Sequence, residues 1–483
     1  MRQFVSWIEA HDEHASAHLR LLEQATMTLE AANGQTATCV LDPALADRLE
    51  RWRYHILSRH AGALHPTDQR LADALDLAAR KLAGGPYADQ SFDRRSPRQA
   101  LESRPGRDAV RRWFDSEAAR RELVRRATEL TIVHHSVPTD SGVSKRSMLL
   151  YAPLYLSNYC VNFCDYCYFR YPQPLERSHL QLAEVLQQAE ILRDRAIHHL
   201  LLVAGDYPKL VTPAYLCEIV SALVARDFSV AVEIAPQSTA CYAQLVEAGA
   251  CGVTLYQEIY DEPLYAEYHS RGTKASFDWR LEGLDRAAEA GMRHLGMGVL
   301  LGLGDPLEEL ACTIGHGQYL QKRFPGIQLS FGLPRLHDVP TGFRNRSETR
   351  AEGPPRPEDI AKLESVEAGL GSSTSQQVDD RMFGLLYSLL RVVFPEAQLV
   401  LSTRETESLR RELIQQCITQ ISAGSSTSPG GYTQTDAERQ QSEQFPISDE
   451  RSPAEVAQQL DSDGFHVQWQ LAEPPRLASG GLP

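Results

Sequence analysis

The stretch Tyr151–Arg170, YAPLYLSNYCVNFCDYCYFR, places three cysteines within eight residues, directly after an apolar run. Cys160, Cys164 and Cys167 have the spacing C-x3-C-x2-C, so one short loop can direct three thiolates at one face of an iron–sulfur cubane. Soft sulfur ligands select iron–sulfur clusters, copper(I) or zinc. A closed structural zinc site needs four ligands, and no fourth cysteine follows at a short spacing. The stretch therefore predicts a metal cluster with one iron that has no protein ligand.

Two other interpretations of the three cysteines stay open at this point. Nine cysteines in 483 residues do not suggest a disulfide framework, and clustered thiols in an intracellular chain more often bind metal than cross-link. The thiols could instead bind zinc together with a distant fourth ligand, or they could be buried and inert. The zinc alternative requires a fourth ligand from a remote part of the chain, because no fourth cysteine follows at a short spacing.

Composition and charge narrow the class of protein. Hydrophobic residues make up 42% of the chain and charged residues 23%, which is ordinary for a globular protein. The net charge of −14 argues against a nucleic-acid partner. The first residues, MRQFVSWIEAHDEHASAH, lack the apolar core of a signal peptide, and nowhere do 18 apolar residues run together. We expect no membrane association and a cytoplasmic, reducing location.

Residues 1–145 are predicted to form an α-helical N-terminal extension, a cap without chemistry of its own. Apolar residues at helical spacing, broken by Gly84-Gly85-Pro86 and Ser96-Pro97, support this interpretation. A linker is expected at 141–144. Four helical segments are predicted. The first contains Phe4, Trp7, Ile8, Leu19, Leu21 and Leu22, the second runs from Leu45 to Ile56, the third from Leu71 to Leu82, and the fourth is the basic stretch Asp108–Leu130.

From residue 147 onward, short apolar runs alternate with amphipathic helical segments, which is typical of a parallel α/β sheet. Eight such repeats predict a complete (β/α)8 TIM-type barrel at 146–425. Residues 426–483 would then be a C-terminal segment that packs on the barrel, with a short helix at Pro453–Leu460 and ten disordered residues at its end. Asp338–Asp380 would be a lid or a disordered insertion. The predicted strands are Met148–Leu156, His199–Ala204, Ser229–Ala235, Gly252–Tyr256, His294–Leu303, Ile327–Leu333, Gln398–Ser402 and Ile418–Ala423.

Barrel enzymes carry their chemistry at the carboxyl ends of the strands, and polar residues follow several of the predicted strands. An iron without a protein ligand can be chelated by the amino and carboxylate groups of S-adenosylmethionine. Asp206, after Gly205, suits the ammonium group of that cofactor, and Glu258 suits its ribose hydroxyls. The guanidinium fork of Arg280 suits the methionine carboxylate of the same cofactor, and Gly298 would let a flat adenine approach the backbone. Arg335 and Arg404 compete for the role of clamping a substrate carboxylate, with Ser422 on the last strand.

With these motifs in hand, the chain resembles the radical S-adenosylmethionine aromatic amino-acid lyases. This family includes the tyrosine lyase of thiazole biosynthesis (2-iminoacetate synthase), the tyrosine lyase of iron-hydrogenase maturation and a tryptophan lyase. The resemblance runs from about residue 147 to residue 470. It is carried by 152–160 (APLYLSNYC), 252–258 (GVTLYQE), 401–405 (LSTRE), 421–425 (ISAGS) and 429–432 (PGGY).

The resemblance implies a radical barrel enzyme with a [4Fe-4S] cluster on the three cysteines and S-adenosylmethionine as cofactor. A 5′-deoxyadenosyl radical would take a hydrogen atom from the amino group of an aromatic amino acid. In tyrosine lyases, Cα–Cβ cleavage then gives 2-iminoacetate (dehydroglycine) and p-cresol. The family pattern favours Arg404 over Arg335 as the carboxylate anchor, with Ser422 nearby, and assigns Tyr166 to the cofactor. A flavodoxin- or ferredoxin-type reductant and a thiazole-forming or other biosynthetic partner protein are also implied.

The chain departs from the family pattern at several points. No cysteine follows Cys417, so the second cluster of the hydrogenase-maturation lyase is not expected. Tyr168 stands where family members usually have glycine, and His337 replaces a basic residue after the proline–arginine pair. Three hypotheses therefore remain: cleavage of tyrosine, cleavage of tryptophan or a modified tyrosine in specialised metabolism, and a non-catalytic cluster-binding scaffold.

Overall fold

The computed structural model describes residues 18–22, 26–30, 36–40, 50, 97–139, 142–337 and 378–471. In the N-terminal extension, β1 (His18–Leu22), β2 (Thr26–Glu30) and β3 (Thr36–Val40) form an antiparallel sheet. The helix that we expected across Leu19, Leu21 and Leu22 is therefore wrong. Threonines recur at every second position in TMTLE and TATCV, and this period of two with β-branched residues favours strands. The helices predicted between Leu45 and Leu82 lie outside the described residues, apart from Glu50.

Three helices precede the barrel: α1 (Pro97–Glu102), α2 (Arg107–Arg111) and α3 (Glu117–His134). The single basic helix predicted over Asp108–Leu130 is thus two helices. The break has a local cause, because the Ser116 hydroxyl accepts a hydrogen bond from the backbone N–H of Ala119 and so caps the start of α3. The described residues on either side of the expected linker pair with each other, since β4 (Ser136–Pro138) is antiparallel to the beginning of the next strand.

Eight parallel strands close into the predicted barrel, as the last strand pairs with the first through Ser422 and Tyr151. The fold class is therefore confirmed. Each strand is followed by at least one helix, as expected for βα units. The barrel strands are β5 (Ser144–Ser157), β6 (His199–Ala204), β7 (Ser229–Glu233), β8 (Gly252–Thr254), β9 (His294–Gly298), β10 (Gln328–Gly332), β11 (Gln398–Leu401) and β12 (Gln420–Ser422).

Alternation along each strand decides which side chains enter the barrel. In β7, Val230 and Val232 are buried in the main core between the barrel and the helices. Ala231 and Glu233, with the opposite parity, line cavities inside the barrel. The surrounding helices are α4 (Leu182–Asp194), α5 (Pro213–Val224), α6 (Thr239–Glu247), α7 (Glu262–Tyr268), α8 (Phe277–Leu281), α9 (Gly283–Glu289), α10 (Pro306–Arg323), α11 (Asp380–Val393) and α12 (Glu407–Gln416).

The segment after the barrel returns to it. It contains α13 (Asp436–Gln440), α14 (Pro453–Ser462) and β13 (His466–Gln468). Helix α14 is the helix predicted to begin at Pro453. Strand β13 pairs in parallel with the amino-terminal half of β5, where His466 lies beside Ser147. The proposed division at residues 145 and 425 stays a prediction. The expected lid at Asp338–Asp380 and the final ten residues lie, for the most part, outside the described residues.

Replacing Arg410 by alanine is expected to lower the free energy of unfolding by about 3 kcal/mol, because it breaks a buried ion pair and leaves the carboxylate of Asp449 with Arg451 alone. Arg410 on α12 forms an ion pair with Asp449 of the C-terminal segment, and their side chains are 0% and 1% exposed. Arg411→Ala is the matched control, since the neighbouring Arg411 is 58% exposed and pairs with Asp463 at the surface. Urea unfolding of both variants measures the difference. Equal midpoints for the two variants would contradict the prediction that the buried ion pair of Arg410 stabilises the fold.

Among the described residues, no helix is both long and apolar enough to cross a bilayer.

Candidate active site

The cysteine loop follows β5 at the carboxyl end of the barrel and is held by backbone hydrogen bonds to the end of β6 and to the end of α7. The N–H of Val161 donates to the carbonyl of Asp206 after β6 (2.9 Å), and the N–H of Asp165 donates to that of Tyr268 at the end of α7 (3.2 Å). The loop therefore has a defined position at the barrel mouth. The interpretation of inert thiols distant from an open site is not supported.

The three thiols share one electrostatic environment. Burial, and then the neighbouring charge of Cys167, raises the pKa of Cys160 to about 11. Burial likewise raises the pKa of Cys164, and the charges of the other two thiols add to this effect. Thiolates that repel one another in this way are stabilised when a metal cluster neutralises them. The backbone N–H of Asn162 points at Cys160 Sγ (3.5 Å), a contact that also suits a cluster ligand.

The donor set fits a cubane better than a single ion. Within the described ranges, no three His, Cys, Asp or Glu side chains converge where one metal ion could bind. The three sulfurs of a cubane site bind three different irons, so they lie farther apart than the ligands of one zinc. Zinc with a distant fourth ligand is therefore not supported by the described part of the chain, whereas a [4Fe-4S] cluster held by the three cysteines is compatible with it.

Gly205, at the end of β6, packs directly beneath the cysteine loop. A Cβ atom at this position would collide with the carbonyl oxygen of Tyr159, the residue before the first cysteine. The position of Gly205 after a predicted strand therefore has a steric reason, because only glycine leaves room for the carbonyl of Tyr159.

Gly205→Ala is therefore expected to displace the loop, at a cost of about 2 kcal/mol in stability, and to reduce iron bound after reconstitution. The matched control is Gly106→Ala, because a Cβ at Gly106 meets nothing within 4 Å. Iron and sulfide analysis together with thermal unfolding checks this result. An alanine variant at 205 with wild-type iron content would show that the loop adapts.

Asp206 is engaged by the loop and by a neighbouring turn. Its carboxylate accepts hydrogen bonds from Asn162 Nδ2 (3.0 Å) and from the Thr273 hydroxyl. Because Asn162 lies between the first two cysteines, this network ties Asp206 to the cluster loop. The assignment of Asp206 to the cofactor stays a prediction.

Glu258 and Arg280, two of the predicted cofactor residues, lie side by side. Glu258 forms ion pairs with Lys274 (2.6 Å) and Arg280 (3.4 Å), and Arg280 Nε also donates to the carbonyl of Tyr256 (2.7 Å). Glu258 has a φ of 70°, an uncommon conformation for a non-glycine residue that is often found at functional sites. Sequence reasoning treated Arg280 as a clamp for the methionine carboxylate, whereas part of its fork is already bound to the protein.

Tyr166 reaches from the cysteine loop toward α7. Its hydroxyl lies 2.8 Å from His269 Nε2, and His269 Nδ1 lies 2.8 Å from the carbonyl of Tyr265. A carbonyl can only accept, so Nδ1 carries the proton and Nε2 accepts from Tyr166. Burial, followed by the charge of Lys274, lowers the pKa of His269 well below its ordinary value, and the imidazole is therefore neutral.

Arg404 lines a cavity of about 140 Å³ at the barrel mouth. Its guanidinium lies over the ring of Phe445, 4.0 Å from the centroid, and burial lowers its pKa. Among the described residues no carboxylate forms an ion pair with it. The cavity is also lined by Cys167 and by aromatic and polar residues from most strands, including Tyr151, Tyr155, Tyr166, Glu233, Tyr256, Glu258, Ser402, Ser422 and Gln444.

Arg335, the competing anchor, is committed elsewhere. Its guanidinium binds both oxygens of Glu405 and one oxygen of Asp380 (2.8 Å). His337 adds a contact to Glu405 (3.1 Å). Although burial opposes ionisation, the hydrogen bonds from His337 and Arg335 lower the pKa of Glu405. The arrangement favours a positioning role for Arg335 and leaves Arg404 as the arginine that faces the cavity.

Ser422 lines the cavity from β12, and Gly298 lies at the end of β9. The Ser422 hydroxyl accepts from the backbone N–H of Thr403 (3.0 Å), which fixes the residue before Arg404. At Gly298, a Cβ would collide with the carbonyl of Gly332 on the neighbouring strand, so close packing of β9 and β10 requires glycine there. The predicted access of adenine at Gly298 stays a prediction.

Two residues of the cavity wall were missed by sequence reasoning. Glu233 ends β7 and was read as part of an apolar strand. Gln444 comes from the C-terminal segment; it accepts from the Tyr155 hydroxyl (2.6 Å), and its Nε2 lies 3.9 Å from Cys167 Sγ. A carboxylate at an inward position of a strand was a usable signal for Glu233, but no sequence signal identifies Gln444.

A closed parallel barrel with a C-x3-C-x2-C loop at its mouth defines the class of radical S-adenosylmethionine enzymes. Comparison with known proteins agrees, because residues 154–314 match the family model described as Radical SAM superfamily. Residues 373–466 match the model described as Biotin and Thiamin Synthesis associated domain.

Individual relatives narrow the assignment. The chain is 33% identical to 2-iminoacetate synthase of Escherichia coli (strain K12) over 320 residues, which are 66% of this chain and 76% of that protein. The hydrogenase maturase HydG from Carboxydothermus hydrogenoformans has a similar structure, with a TM-score of 0.62 and 29% identity, over 91% of this chain and 88% of that one. Methylornithine synthase, at 18% identity and a TM-score of 0.53, shares the fold.

The chain therefore belongs to the radical S-adenosylmethionine lyase family that includes 2-iminoacetate synthase. It is an enzyme of the carbon–carbon lyase type that uses a [4Fe-4S] cluster and S-adenosylmethionine. A small-molecule amino acid substrate is consistent with this family. The hypothesis of a non-catalytic scaffold is set aside.

Proposed function

We propose that the protein cleaves the Cα–Cβ bond of L-tyrosine and releases 2-iminoacetate and p-cresol. The observation that carries the proposal is the uncommitted guanidinium of Arg404, in the same cavity wall as Cys167. A guanidinium fork binds a carboxylate through two parallel hydrogen bonds. Arg404 would thus hold the amino acid in a fixed orientation beside the cluster loop.

When bound, the cluster and S-adenosylmethionine supply a primary carbon radical that can take a hydrogen atom from the substrate. The chain's own residues determine which hydrogen atom is within reach. Arg404 fixes the carboxylate end, Ser422 holds the backbone before Arg404 in place, and Tyr151, Tyr155 and Tyr256 enclose the remaining space. Proximity and orientation of this kind account for much of the selectivity of an enclosed site.

For the cofactor, Cys160, Cys164 and Cys167 would ligate the cluster, while Asp206, Glu258 and Arg280 would surround S-adenosylmethionine together with Tyr166, Gly205 and Gly298. A flavodoxin- or ferredoxin-type protein would deliver the electron, and a thiazole-forming or other biosynthetic protein would consume the imine. The oxygen sensitivity of such a cluster suits the cytoplasm.

The test is a substrate screen with the reconstituted enzyme. The protein is loaded anaerobically with iron and sulfide, reduced, and given S-adenosylmethionine with L-tyrosine or L-tryptophan. We expect 5′-deoxyadenosine and p-cresol in similar amounts with tyrosine. An indole product with tryptophan alone would favour the second hypothesis, for which Tyr168 beside the cluster is the motivating residue. Cofactor cleavage without either product would exclude both of these substrates.

A further inference from the structure

The carboxylates that the structure describes at the barrel mouth include four at or just after the ends of strands, and three of these are bound by protein partners. Asp206 is bound by Asn162 and Thr273, Glu258 by Lys274 and Arg280, and Glu405 by Arg335 and His337. The fourth, Glu233, lines the cavity, and within the part of the chain that the structure describes no hydrogen-bond donor or ion-pair partner contacts its side chain. The cavity wall therefore contains one uncommitted anion as well as the uncommitted cation Arg404.

The sheet order places these two residues on opposite sides of the barrel. Glu233 ends β7 and Arg404 follows β11, and in the closed ring of eight strands three strands lie between β7 and β11 in either direction. Glu233 shares its inward parity with Ala231, so its carboxyl faces the space toward which Arg404 also projects.

An α-amino acid is a zwitterion whose two charged groups are attached to one carbon atom. A cation and an anion that face each other across a narrow cavity match this charge pattern. Arg404 takes the carboxylate under the proposed function, on which the present inference rests. The charge that remains on the substrate is its ammonium group.

We propose that Glu233 binds the α-amino group of the substrate and accepts one proton from it. In this step an N–H bond of the ammonium breaks heterolytically, the proton moves to a carboxylate oxygen of Glu233, and the electron pair stays on nitrogen. The product is a neutral amine hydrogen-bonded to a neutral carboxylic acid, with no change in oxidation state. The amine is held opposite Arg404, which fixes the direction of its remaining N–H bonds.

The environment of Glu233 favours such proton exchange. Burial, and then the charge of Glu258, raises the pKa of Glu233 to about 7, while the cations around the mouth act in the opposite direction. A group with a pKa near the working pH can both hold and release a proton. The titratable groups that face Glu233 are Glu258, Lys274, Arg280, Arg404, Tyr151, Tyr155 and Tyr256.

A binding cycle tests the contact without turnover. L-tyrosine and its desamino analogue 3-(4-hydroxyphenyl)propanoate are titrated by calorimetry into the holoenzyme with S-adenosylmethionine and no reductant. Glu233→Gln is expected to weaken tyrosine binding by about tenfold and to leave the analogue within about twofold, because only tyrosine carries the amine. The exposed Glu218→Gln on α5 is the matched control and should change neither value. Equal weakening of both ligands would overturn the proposal and place Glu233 at the phenol end.

The pH dependence of kcat/KM provides the second readout. Because the pKa of Glu233 is raised, its carboxylate is protonated below about pH 7 and cannot accept. For the wild-type enzyme, kcat/KM should therefore rise with pH through this range. This rising limb of the pH profile should disappear in Glu233→Gln. An unchanged limb in the variant would overturn the proton transfer. If the wild-type enzyme binds neither tyrosine nor the analogue, the proposed substrate fails, and this outcome is distinct from loss of discrimination in the variant.

Discussion

Replacing Cys164 by alanine is expected to abolish cluster binding and with it all formation of 5′-deoxyadenosine. Cys164 is the most deeply buried thiol of the loop, 5% exposed, and it lies between the other two in sequence. With two thiolates left, a cubane loses a protein ligand on one of the three irons that the chain can hold. Iron and sulfide content after anaerobic reconstitution, together with the visible absorption of the cluster, measures the effect.

Cys217→Ala is the matched control for this experiment. Cys217 lies on α5 and packs against the main core, away from the loop, so its replacement should leave iron content unchanged. A Cys164→Ala enzyme that still cleaved S-adenosylmethionine would show that the loop does not hold the cluster. In that case the interpretation of the barrel mouth would fail as a whole.

Arg404→Ala is expected to reduce kcat/KM for the amino acid on the order of 1,000-fold, because an enclosed carboxylate would lose its charged partner. This factor corresponds to a loss of about 4 kcal/mol of transition-state stabilisation. Cleavage of S-adenosylmethionine should continue at a measurable rate without product, since the cysteine loop is untouched. The ratio of 5′-deoxyadenosine to p-cresol measures this uncoupling directly.

Arg335→Ala provides the contrast to Arg404→Ala. Arg335 binds Glu405 and Asp380, so its removal should lower stability and change that ratio much less. Arg404→Lys separates charge from geometry, because an ammonium keeps the charge but cannot form the two-pronged pair. Full product yield from Arg404→Ala would transfer the anchoring role to Arg335.

The barrel was predictable because its signal is repeated eight times. Short apolar runs alternate with amphipathic segments along the whole barrel, several of the runs are followed by polar residues, and an error in one repeat does not change the fold that the others indicate. The N-terminal strands lacked this redundancy. A run such as HLRLL fits a helical and an alternating pattern equally over five residues, and only pairing between strands decides the outcome.

The sequence allowed us to predict which polar residues lie at the strand ends of the site. It did not allow us to predict which side chains those residues contact. Whether Arg335 or Arg404 is free for a ligand depends on Glu405, Asp380 and Phe445, which come from different parts of the chain. Glu233 was overlooked because SVAVEIA reads as one apolar run. Glu233 lies two positions after Ala231, so both side chains face the inside of the barrel. A single charged residue at such an inward position of a strand can therefore be predicted to line the site.

The contact between Gln444 and Cys167 has a consequence for biosynthesis. These residues are 277 positions apart, so the ribosome must add that many residues after the third cysteine before the wall of the site is complete. At about 5 to 20 residues per second, this takes roughly 15 to 55 s. Throughout that interval the nascent thiols lack their final cover, and reactive thiolates are open to oxidation. Iron loading of a finished site must therefore follow translation of the C-terminal segment.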